Sequence, residues 1–128
     1  MYSSPWYNSL TKPPFSPPDW IFTPTWIILY TAIFISLILY ITKAAPNKKT
    51  GYLYFSAQMI LNLLWSFVFF RIQNMALALI VIIFMAIFTF LTIKNFYIAS
   101  KTSAILLVPY LLWIIFAAYL NAGYLLLN

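Results

Sequence analysis

Four long apolar segments dominate the chain, and short polar or turn-forming breaks separate them. Each segment is close to the roughly 20 residues that a helix needs to cross the hydrocarbon core of a bilayer. In lipid only a helix satisfies its own backbone hydrogen bonds, and four short runs cannot close a barrel. The sequence therefore predicts an all-α, polytopic transmembrane helical bundle with four spans, at about residues 20–42, 52–70, 75–95 and 103–127.

The stretch before the first span is rich in proline and tryptophan. Residues 1–26 hold six of the eight prolines and three of the five tryptophans. Five of these prolines precede Trp20, and proline fixes φ and removes a backbone donor, so regular helix is not expected before Trp20, whereas the aromatic rings suit a membrane interface or the cover of a ligand site. We therefore divide the chain into an interfacial lid, residues 1–19, and a helical bundle, residues 20–128. The lid residues expected to matter are Trp6, Lys12, Pro13 and Trp20.

Polar and aromatic side chains recur at helical spacing within three of the spans. An amide in hydrocarbon is costly unless it is paired, so these side chains should point inward, to one another, to the backbone or to a ligand. For the amides, the alternative to a ligand contact is a hydrogen bond that only joins two helices. For the tryptophans, the alternatives are packing in the core or a position in the aromatic belt at the membrane surface. The stripes are Trp26, Tyr30, Ile33 and Tyr40; Gln58, Asn62, Trp65, Ser66 and Phe69; and Tyr110, Trp113, Ala117, Asn121 and Tyr124.

Tyrosines near the segment ends are predicted to lie in the aromatic belts at the membrane surfaces. They are Tyr40, Tyr52, Tyr54 and Tyr124.

Together the stripes predict a cavity between helices, walled by aromatic rings and a few amides, beneath the lid. Such a cavity suits a large, flat and mostly apolar ligand with a polar edge, such as a tetrapyrrole, a sterol or a polycyclic aromatic compound. The candidate ligand-binding residues are Trp26, Tyr30, Asn62, Trp65, Tyr110, Trp113, Phe116 and Ala117.

Composition supports a membrane location and excludes most side-chain catalysis. The chain is 65% hydrophobic and 6% charged, whereas soluble domains carry roughly a quarter charged residues. It has no His and no Cys, and Asp19 is its one acidic residue. Metal centres, catalytic triads, carboxylate pairs and proton-coupled transport through an intramembrane acid are therefore excluded. We expect no enzymatic activity, no metal site and no required cofactor.

The net charge of +6 predicts orientation in the membrane rather than nucleic-acid binding. The breaks at residues 43–51 and 94–102 hold five lysines, whereas the lid and the break at residues 71–74 hold only Lys12 and Arg71. The positive-inside rule places both lysine-bearing loops in the cytoplasm and both termini outside. The Ile-, Asn- and Lys-leaning composition favours a bacterial cell membrane.

Three sequence blocks occur in an order and spacing typical of one family. Residues 6–30 read W-Y-x-x-L-x-K-P-x-F-x-P-P-x-W-x-F-x-P-x-W-x-x-L-Y, residues 58–70 read Q-x-x-L-N-x-x-W-S-x-x-F-F, and residues 109–121 read P-Y-L-x-W-x-x-F-A-x-x-L-N. On these blocks the chain resembles the tryptophan-rich sensory protein / translocator protein family, formerly called the peripheral-type benzodiazepine receptor.

The resemblance implies a homodimeric membrane protein that binds porphyrins such as protoporphyrin IX or haem-like tetrapyrroles, sterols, and isoquinoline- or benzodiazepine-type ligands. It implies a role in tetrapyrrole handling or stress-linked regulation. By similarity, Trp26 and Trp113 match two pocket indoles that contact the ligand's polar group, Asn62 matches a pocket amide, and Ala117 matches a small wall residue.

Two features depart from the family pattern. The family has five transmembrane helices, and its first normally precedes the block that begins here at Trp6, so that helix is expected to be missing. A misplaced gene start, a fragment and a genuine four-helix variant are the three alternatives. The pattern proposed for cholesterol recognition needs a basic residue after Tyr124, and none follows, which favours porphyrin over sterol. Two alternative functions remain open: a passive small-molecule carrier, and a membrane interaction partner with no small-molecule ligand.

Overall fold

Four long helices make up most of the described part of the chain. The computed structural model describes Trp6 and residues 9–11, 19–43 and 48–127, and no strand occurs within these ranges. A 3-10 turn leads into the first helix, and a π-helical turn continues the second. The elements are the 3-10 turn Asp19–Ile21, α1 Phe22–Thr42, α2 Lys48–Ser66, the π turn Phe67–Ile72, α3 Met75–Ala99 and α4 Lys101–Leu127.

The four spans, counting the π turn with α2, contain 21, 25, 25 and 27 residues, and each is long and apolar enough to cross a membrane. Large apolar side chains such as those of Phe34, Leu63, Phe84 and Leu112 remain exposed on the outside of the bundle. A helix that is apolar on every side suits a lipid environment. The predicted all-α, four-span fold is confirmed.

The helices extend beyond the expected apolar limits at the end of the bundle that carries most lysines. The helix α2 begins at Lys48 rather than near residue 52, and α3 continues to Ala99. Helical hydrogen bonding can continue past the hydrocarbon core, because long lysine side chains bury their stems and keep the amine in water.

Local backbone chemistry sets the two described links. The π turn ends at Ile72, and Gln73, which caps it, has a left-handed φ of 61°. Asn74 then caps α3 by accepting a hydrogen bond from the Leu77 N–H at 3.0 Å. Between α3 and α4, Ser100 is extended and its hydroxyl accepts from the Ser103 N–H at 3.2 Å. Links this short make α2, α3 and α4 consecutive antiparallel neighbours.

The packing order differs from the chain order. The helix α1 packs against α4, α4 against α3, and α3 against α2, whereas α1 and α2 meet mainly through long side chains. Ser36 and Ser103 join α1 to α4: each hydroxyl donates to the other residue's carbonyl oxygen, at 2.7 and 2.6 Å. Small residues permit this close approach in a membrane.

Two of the four expected belt tyrosines lie in the core instead. Tyr40 is 1% exposed and stacks on Phe96 with ring centroids 3.9 Å apart, and its hydroxyl donates to the Lys48 carbonyl. Tyr124 is 2% exposed and packs edge-to-face on Phe69. The belt prediction is wrong for these two residues, because stacking partners are available inside the bundle.

The described part of the lid, residues 1–19, also differs from the irregular structure that the sequence predicts. Trp6 and Ser9 have helical backbone, so the expectation of irregular structure is wrong at these two positions. Most of the prolines in residues 1–19 follow Thr11, so they do not prevent helical backbone at Trp6 and Ser9.

Candidate functional site

An aromatic cavity with an empty volume of about 310 Å³ lies between α1, α2 and α4, partly open to the outside. It sits where α1 begins and where α2 and α4 end, at the opposite end of the bundle from the α3–α4 link. The lining residues are Phe22, Trp65, Phe69, Phe70, Trp113, Ala117, Leu120, Asn121 and Tyr124.

Trp113 is the polar centre of one wall of the cavity. Its ring meets Phe22 and Trp26 edge-to-face, with centroids 5.8 and 6.2 Å away. The Trp113 Nε1–H is buried and has no hydrogen-bond partner. Buried indole N–H groups usually have an acceptor, so this atom marks a place where an acceptor oxygen or nitrogen of a ligand would be stabilised.

The opposite wall is held by a hydrogen-bond chain that crosses three helices. The Trp65 Nε1–H donates to the Asn121 Oδ1 at 3.0 Å, and the Asn121 Nδ2 donates to the Met75 carbonyl at 2.9 Å. Trp65 also stacks on Phe69 with centroids 5.3 Å apart. Trp65 therefore offers the cavity an apolar ring face, because its donor is already used.

Beyond the cavity, toward the middle of the bundle, four side chains form a polar network, in which Tyr30 is 37% exposed and the other three are buried. The Tyr30 hydroxyl donates to the Asn62 Oδ1. The Asn62 Nδ2 donates to the Tyr110 hydroxyl at 2.7 Å, and that hydroxyl donates to the Gln58 Oε1 at 2.7 Å. The network joins α1, α2 and α4, so the prediction that the amides point inward and are paired is confirmed for Asn62, as it is for Asn121.

The π turn shapes the cavity floor. Phe69 and Phe70 are consecutive residues, and both line the cavity from this turn. Their rings meet at 67° with centroids 4.9 Å apart, and Trp6 from the lead packs edge-to-face on Phe69 at 5.5 Å. Single π turns within α-helices are frequent at functional sites.

The predicted site residues fall into three groups. Trp65, Trp113 and Ala117 line the cavity. Trp26 and Phe116 contact the Trp113 ring. The remaining three form the polar network beside the cavity, and the binding role of all eight stays a prediction. This network group is Tyr30, Asn62 and Tyr110.

The predicted lid is described only in part. Trp6 is half-buried against the cavity wall, whereas Trp20 is 73% exposed. Lys12 and Pro13 lie outside the described residues. The lid therefore stays a prediction, with Trp6 as the lid residue that contacts a wall of the cavity.

Sequence reasoning did not select Phe22, Phe70 or Leu120 as lining residues. Phe22 precedes Trp26 by four residues and so shares its helix face, which is a signal that the sequence did contain. The sequence contained no such signal for Phe70, because consecutive residues of an α-helix, such as Phe69 and Phe70, lie on different faces.

These features define an integral membrane protein built from four helices, with an aromatic pocket near one end. A family model described as the TspO/MBR family matches residues 1–127. The chain belongs to this family, and the resemblance drawn from the three sequence blocks is confirmed.

Individual relatives agree with the family match. The chain is 43% identical over 123 residues to the tryptophan-rich protein TspO of Archaeoglobus fulgidus, and the aligned region covers 96% of this chain and 80% of that protein. It is 39% identical over 125 residues to the tryptophan-rich protein TspO of Chlorobaculum tepidum, covering 96% and 79%. It is 33% identical over 119 residues to the translocator protein of Bos taurus, covering 91% and 70%. These names describe translocator or tryptophan-rich proteins rather than enzymes.

Proposed function

We propose that this protein binds a planar, lipid-soluble tetrapyrrole of the protoporphyrin type in the aromatic cavity, without covalent chemistry, and takes part in tetrapyrrole handling or stress-linked regulation. Sterols and isoquinoline- or benzodiazepine-like compounds are further ligands of the same site. The observation that carries the proposal is the buried, unpartnered Trp113 Nε1–H in an otherwise aromatic wall.

The cavity chemistry favours a flat aromatic ligand over a compact polar one. Its walls are almost entirely aromatic or aliphatic, and the amide of Asn121 is already bonded to Trp65 and to the Met75 carbonyl. Ring faces and edges attract other aromatic rings in offset or edge-to-face geometry. A tetrapyrrole is larger than the space between the walls, so it would extend through the open side of the cavity.

The proposal is tested with protoporphyrin IX and the protein in lipid nanodiscs. Saturable quenching of tryptophan fluorescence reports binding. We expect the double variant Trp26→Phe, Trp113→Phe to weaken binding by about tenfold or more, because it removes the buried Trp113 donor and replaces two indoles by smaller rings. Tyr97→Phe, at an exposed position on α3, is the matched aromatic control and should bind like the wild type.

Two results would count against the proposal. Wild-type protein that quenches no more than empty nanodiscs would favour an interaction partner with no small-molecule ligand. Unchanged affinity in the double variant would place any ligand elsewhere. Flux of the tetrapyrrole across liposomes, measured on the same protein, separates a passive carrier from a binding protein.

We infer a bacterial cell-membrane location, with the loops at residues 43–51 and 94–102 in the cytoplasm. The five lysines of these loops lie at one end of the bundle, and the aromatic cavity lies near the other. In this orientation the cavity opens near the outer face of the membrane. We also propose that the protein is a homodimer, as the family resemblance implies, and that it is not an enzyme.

A further inference from the structure

Three residues from three helices define a layer near the end of the bundle that carries most lysines. Tyr40 of α1 stacks on Phe96 of α3 with ring centroids 3.9 Å apart, and its hydroxyl is the nearest atom to a β-carbon added at Gly51 of α2. Tyr52 and Tyr97 directly follow Gly51 and Phe96 in the chain, and both rings are exposed. Exposed tyrosines are enriched where the hydrocarbon core meets the lipid headgroups, so this layer marks the membrane surface at this end.

The five lysines at this end lie at nearly the same depth as that layer. An α-helix rises about 1.5 Å per residue, so two or three residues correspond to about 3–5 Å along the bundle axis. Four of the lysines lie two or three residues along the chain from Tyr40, Gly51 or Phe96. The fifth precedes Ser103 by two residues, and Ser103 pairs with Ser36, four residues before Tyr40, which places this lysine about 3 Å from the layer. The five are Lys43, Lys48, Lys49, Lys94 and, on α4, Lys101.

One of these lysines, Lys48, is already held by the protein. Its ammonium donates to the carbonyl oxygens of Ile41 and Lys43, at the C-terminal end of α1, and lies 5.1 Å from the centre of the Tyr40 ring. The last carbonyls of a helix have no partner within it, and a cation is favourable there. Lys48 therefore joins the end of α1 to the start of α2, and its charge is not open to another partner.

The other four lysines are exposed and have no anionic partner in the described part of the chain. Asp19, the one acidic side chain, lies in the 3-10 turn before α1 and so at the opposite end of the bundle. The Lys94 ammonium lies over the exposed Phe90 ring, 5.8 Å from its centre, so the stem of Lys94 follows the lipid-facing side of α3. Four positive charges at headgroup depth are thus left uncompensated by the described residues. These exposed lysines are Lys43, Lys49, Lys94 and Lys101.

The distribution of the four charges around the bundle indicates which kind of partner fits. Each helix contributes one of them, at or near its end on this side of the membrane. Because the helices succeed one another around the bundle, the charges surround it rather than form a single basic face. A docked protein or nucleic acid covers one side of its partner, whereas lipids surround a membrane protein. Clusters of about four to eight basic residues beside transmembrane helices are typical of anionic-lipid binding.

We propose that this end of the bundle binds anionic phospholipids, and that each of the four exposed lysines contacts a lipid phosphodiester. The favoured headgroup carries a net negative charge and no amine, because the ammonium of a zwitterionic headgroup competes with lysine for the phosphodiester. One lysine close to an anionic surface strengthens binding by about fivefold. The inference does not depend on the proposed function, because the aromatic cavity lies near the opposite end of the bundle.

The test compares phosphatidylglycerol with phosphatidylcholine of the same acyl chains. Native mass spectrometry of the protein in neutral detergent micelles counts the bound lipids at each lipid concentration and gives an association constant for the first of them. We expect the wild type to bind phosphatidylglycerol about fivefold more tightly than phosphatidylcholine. This preference should fall when the ammonium acetate concentration rises from about 0.05 M to about 0.5 M, because salt screens exposed charges.

Two fourfold variants separate charge from every other property of these positions. The glutamine variant removes the charges, and its two association constants should agree within about twofold. The arginine variant keeps the charges at the same positions and should keep the preference for phosphatidylglycerol. Thermal unfolding of each variant shows whether lipid binding was measured on folded protein, and the comparison of the two lipids in the wild type needs no variant. The glutamine variant is Lys43→Gln, Lys49→Gln, Lys94→Gln, Lys101→Gln, and the arginine variant is Lys43→Arg, Lys49→Arg, Lys94→Arg, Lys101→Arg.

Three results would overturn the proposal. The first is equal affinity of the wild type for the two lipids. The second is a preference for phosphatidylglycerol that persists unchanged in the folded glutamine variant, because the preference would then arise without these lysines. The third is loss of the preference in the folded arginine variant, because charge would then not be its cause. Tetrapyrrole binding is measured separately, so none of these results decides the proposed function.

Discussion

The ring of Tyr40 occupies the space where a β-carbon on residue 51 would lie, with the hydroxyl oxygen as the nearest atom. Gly51 is buried in the first turns of α2, and Tyr40 stacks on Phe96 of α3 in the same layer. One glycine therefore allows the C-terminal end of α1 to reach the α2–α3 pair through a tyrosine ring. Because α1 and α2 have little other close packing, this contact is important for holding them together.

Replacing Gly51 with alanine should destabilise the bundle. The added methyl group overlaps the Tyr40 ring, which must leave its stack on Phe96 or push the helices apart. Overpacking of this kind costs about 1–3 kcal/mol of unfolding free energy. Reversible unfolding in mixed detergent micelles measures the change.

A double-mutant cycle identifies the cause. In the background Tyr40→Leu, the overlap is gone, so Gly51→Ala should cost much less than it does alone. Equal costs in the two backgrounds would contradict the proposed clash and would point to an effect of the substitution on α2 itself.

The serine pair between α1 and α4 should contribute measurably to stability. Ser36→Ala removes two of its three contacts and leaves the Ser103 hydroxyl with the Ser36 carbonyl alone. Hydrogen bonds between transmembrane helices are worth about 0.6 kcal/mol each, with a maximum near 1.7. We expect a loss of about 1 kcal/mol in the same unfolding measurement.

Thr31→Ala is the control for that prediction. Its hydroxyl is exposed and donates to Ile27 within α1, so its removal should leave the α1–α4 contact unchanged. If Ser36→Ala and Thr31→Ala lowered stability equally, the serine pair would have no special role between the helices.

The amide of Asn121 should be needed for the cavity wall as well as for stability. Asn121→Leu leaves the Trp65 indole donor without its partner and removes the side-chain hydrogen bond to the Met75 carbonyl, which keeps its bond within α3. Unpaired buried groups cost about 1–3 kcal/mol each, so unfolding should become markedly easier. Freed from Asn121, Trp65 should change its ring environment, and a shift in its fluorescence maximum would report this.

A second amide provides the comparison. Asn95 donates to Leu91 in its own helix, away from the cavity, and Asn95→Leu should cost less and leave Trp65 emission unchanged. Similar spectra for both variants would show that the Asn121 bond does not set the position of Trp65.

Filling the cavity from its wall should weaken ligand binding without unfolding the protein. Ala117 lines the cavity and is 7% exposed, so Ala117→Leu places three additional carbon atoms in the space that the tetrapyrrole ring would use. We expect protoporphyrin affinity to fall by about tenfold or more, because the overlap costs over 1.4 kcal/mol. Ala76→Leu, at an exposed position of α3, should have wild-type affinity, and equal affinities in the two variants would place the ligand outside this cavity.

The sequence predicted the fold well because the bilayer leaves few choices. Long apolar runs in lipid must be helices, so the spans could be read from hydropathy and length. The family was equally readable, since the three motif blocks preserve both residue type and spacing. The inward direction of Asn62 and Asn121 followed from the cost of an unpaired amide in hydrocarbon.

Side-chain pairing could not be read in the same way. Trp65 and Trp113 look alike in the sequence, yet one indole donor is bonded to Asn121 and the other has no partner. That difference depends on the rotation and depth of each helix relative to its neighbours, which periodicity does not determine. The burial of Tyr40 depends likewise on Gly51, a residue that sequence reasoning had assigned to a loop.

The packing order has a consequence for how the protein is made. The serines that join α1 to α4 are separated by 67 positions in the chain, and α4, the main packing partner of α1 among the described helices, is synthesised after α1, α2 and α3. Within this part of the chain, α1 must therefore wait in the lipid for α4, while α2, α3 and α4 pair with their sequence neighbours. Closure of the aromatic cavity, which needs Phe22 from α1, follows the synthesis of α4.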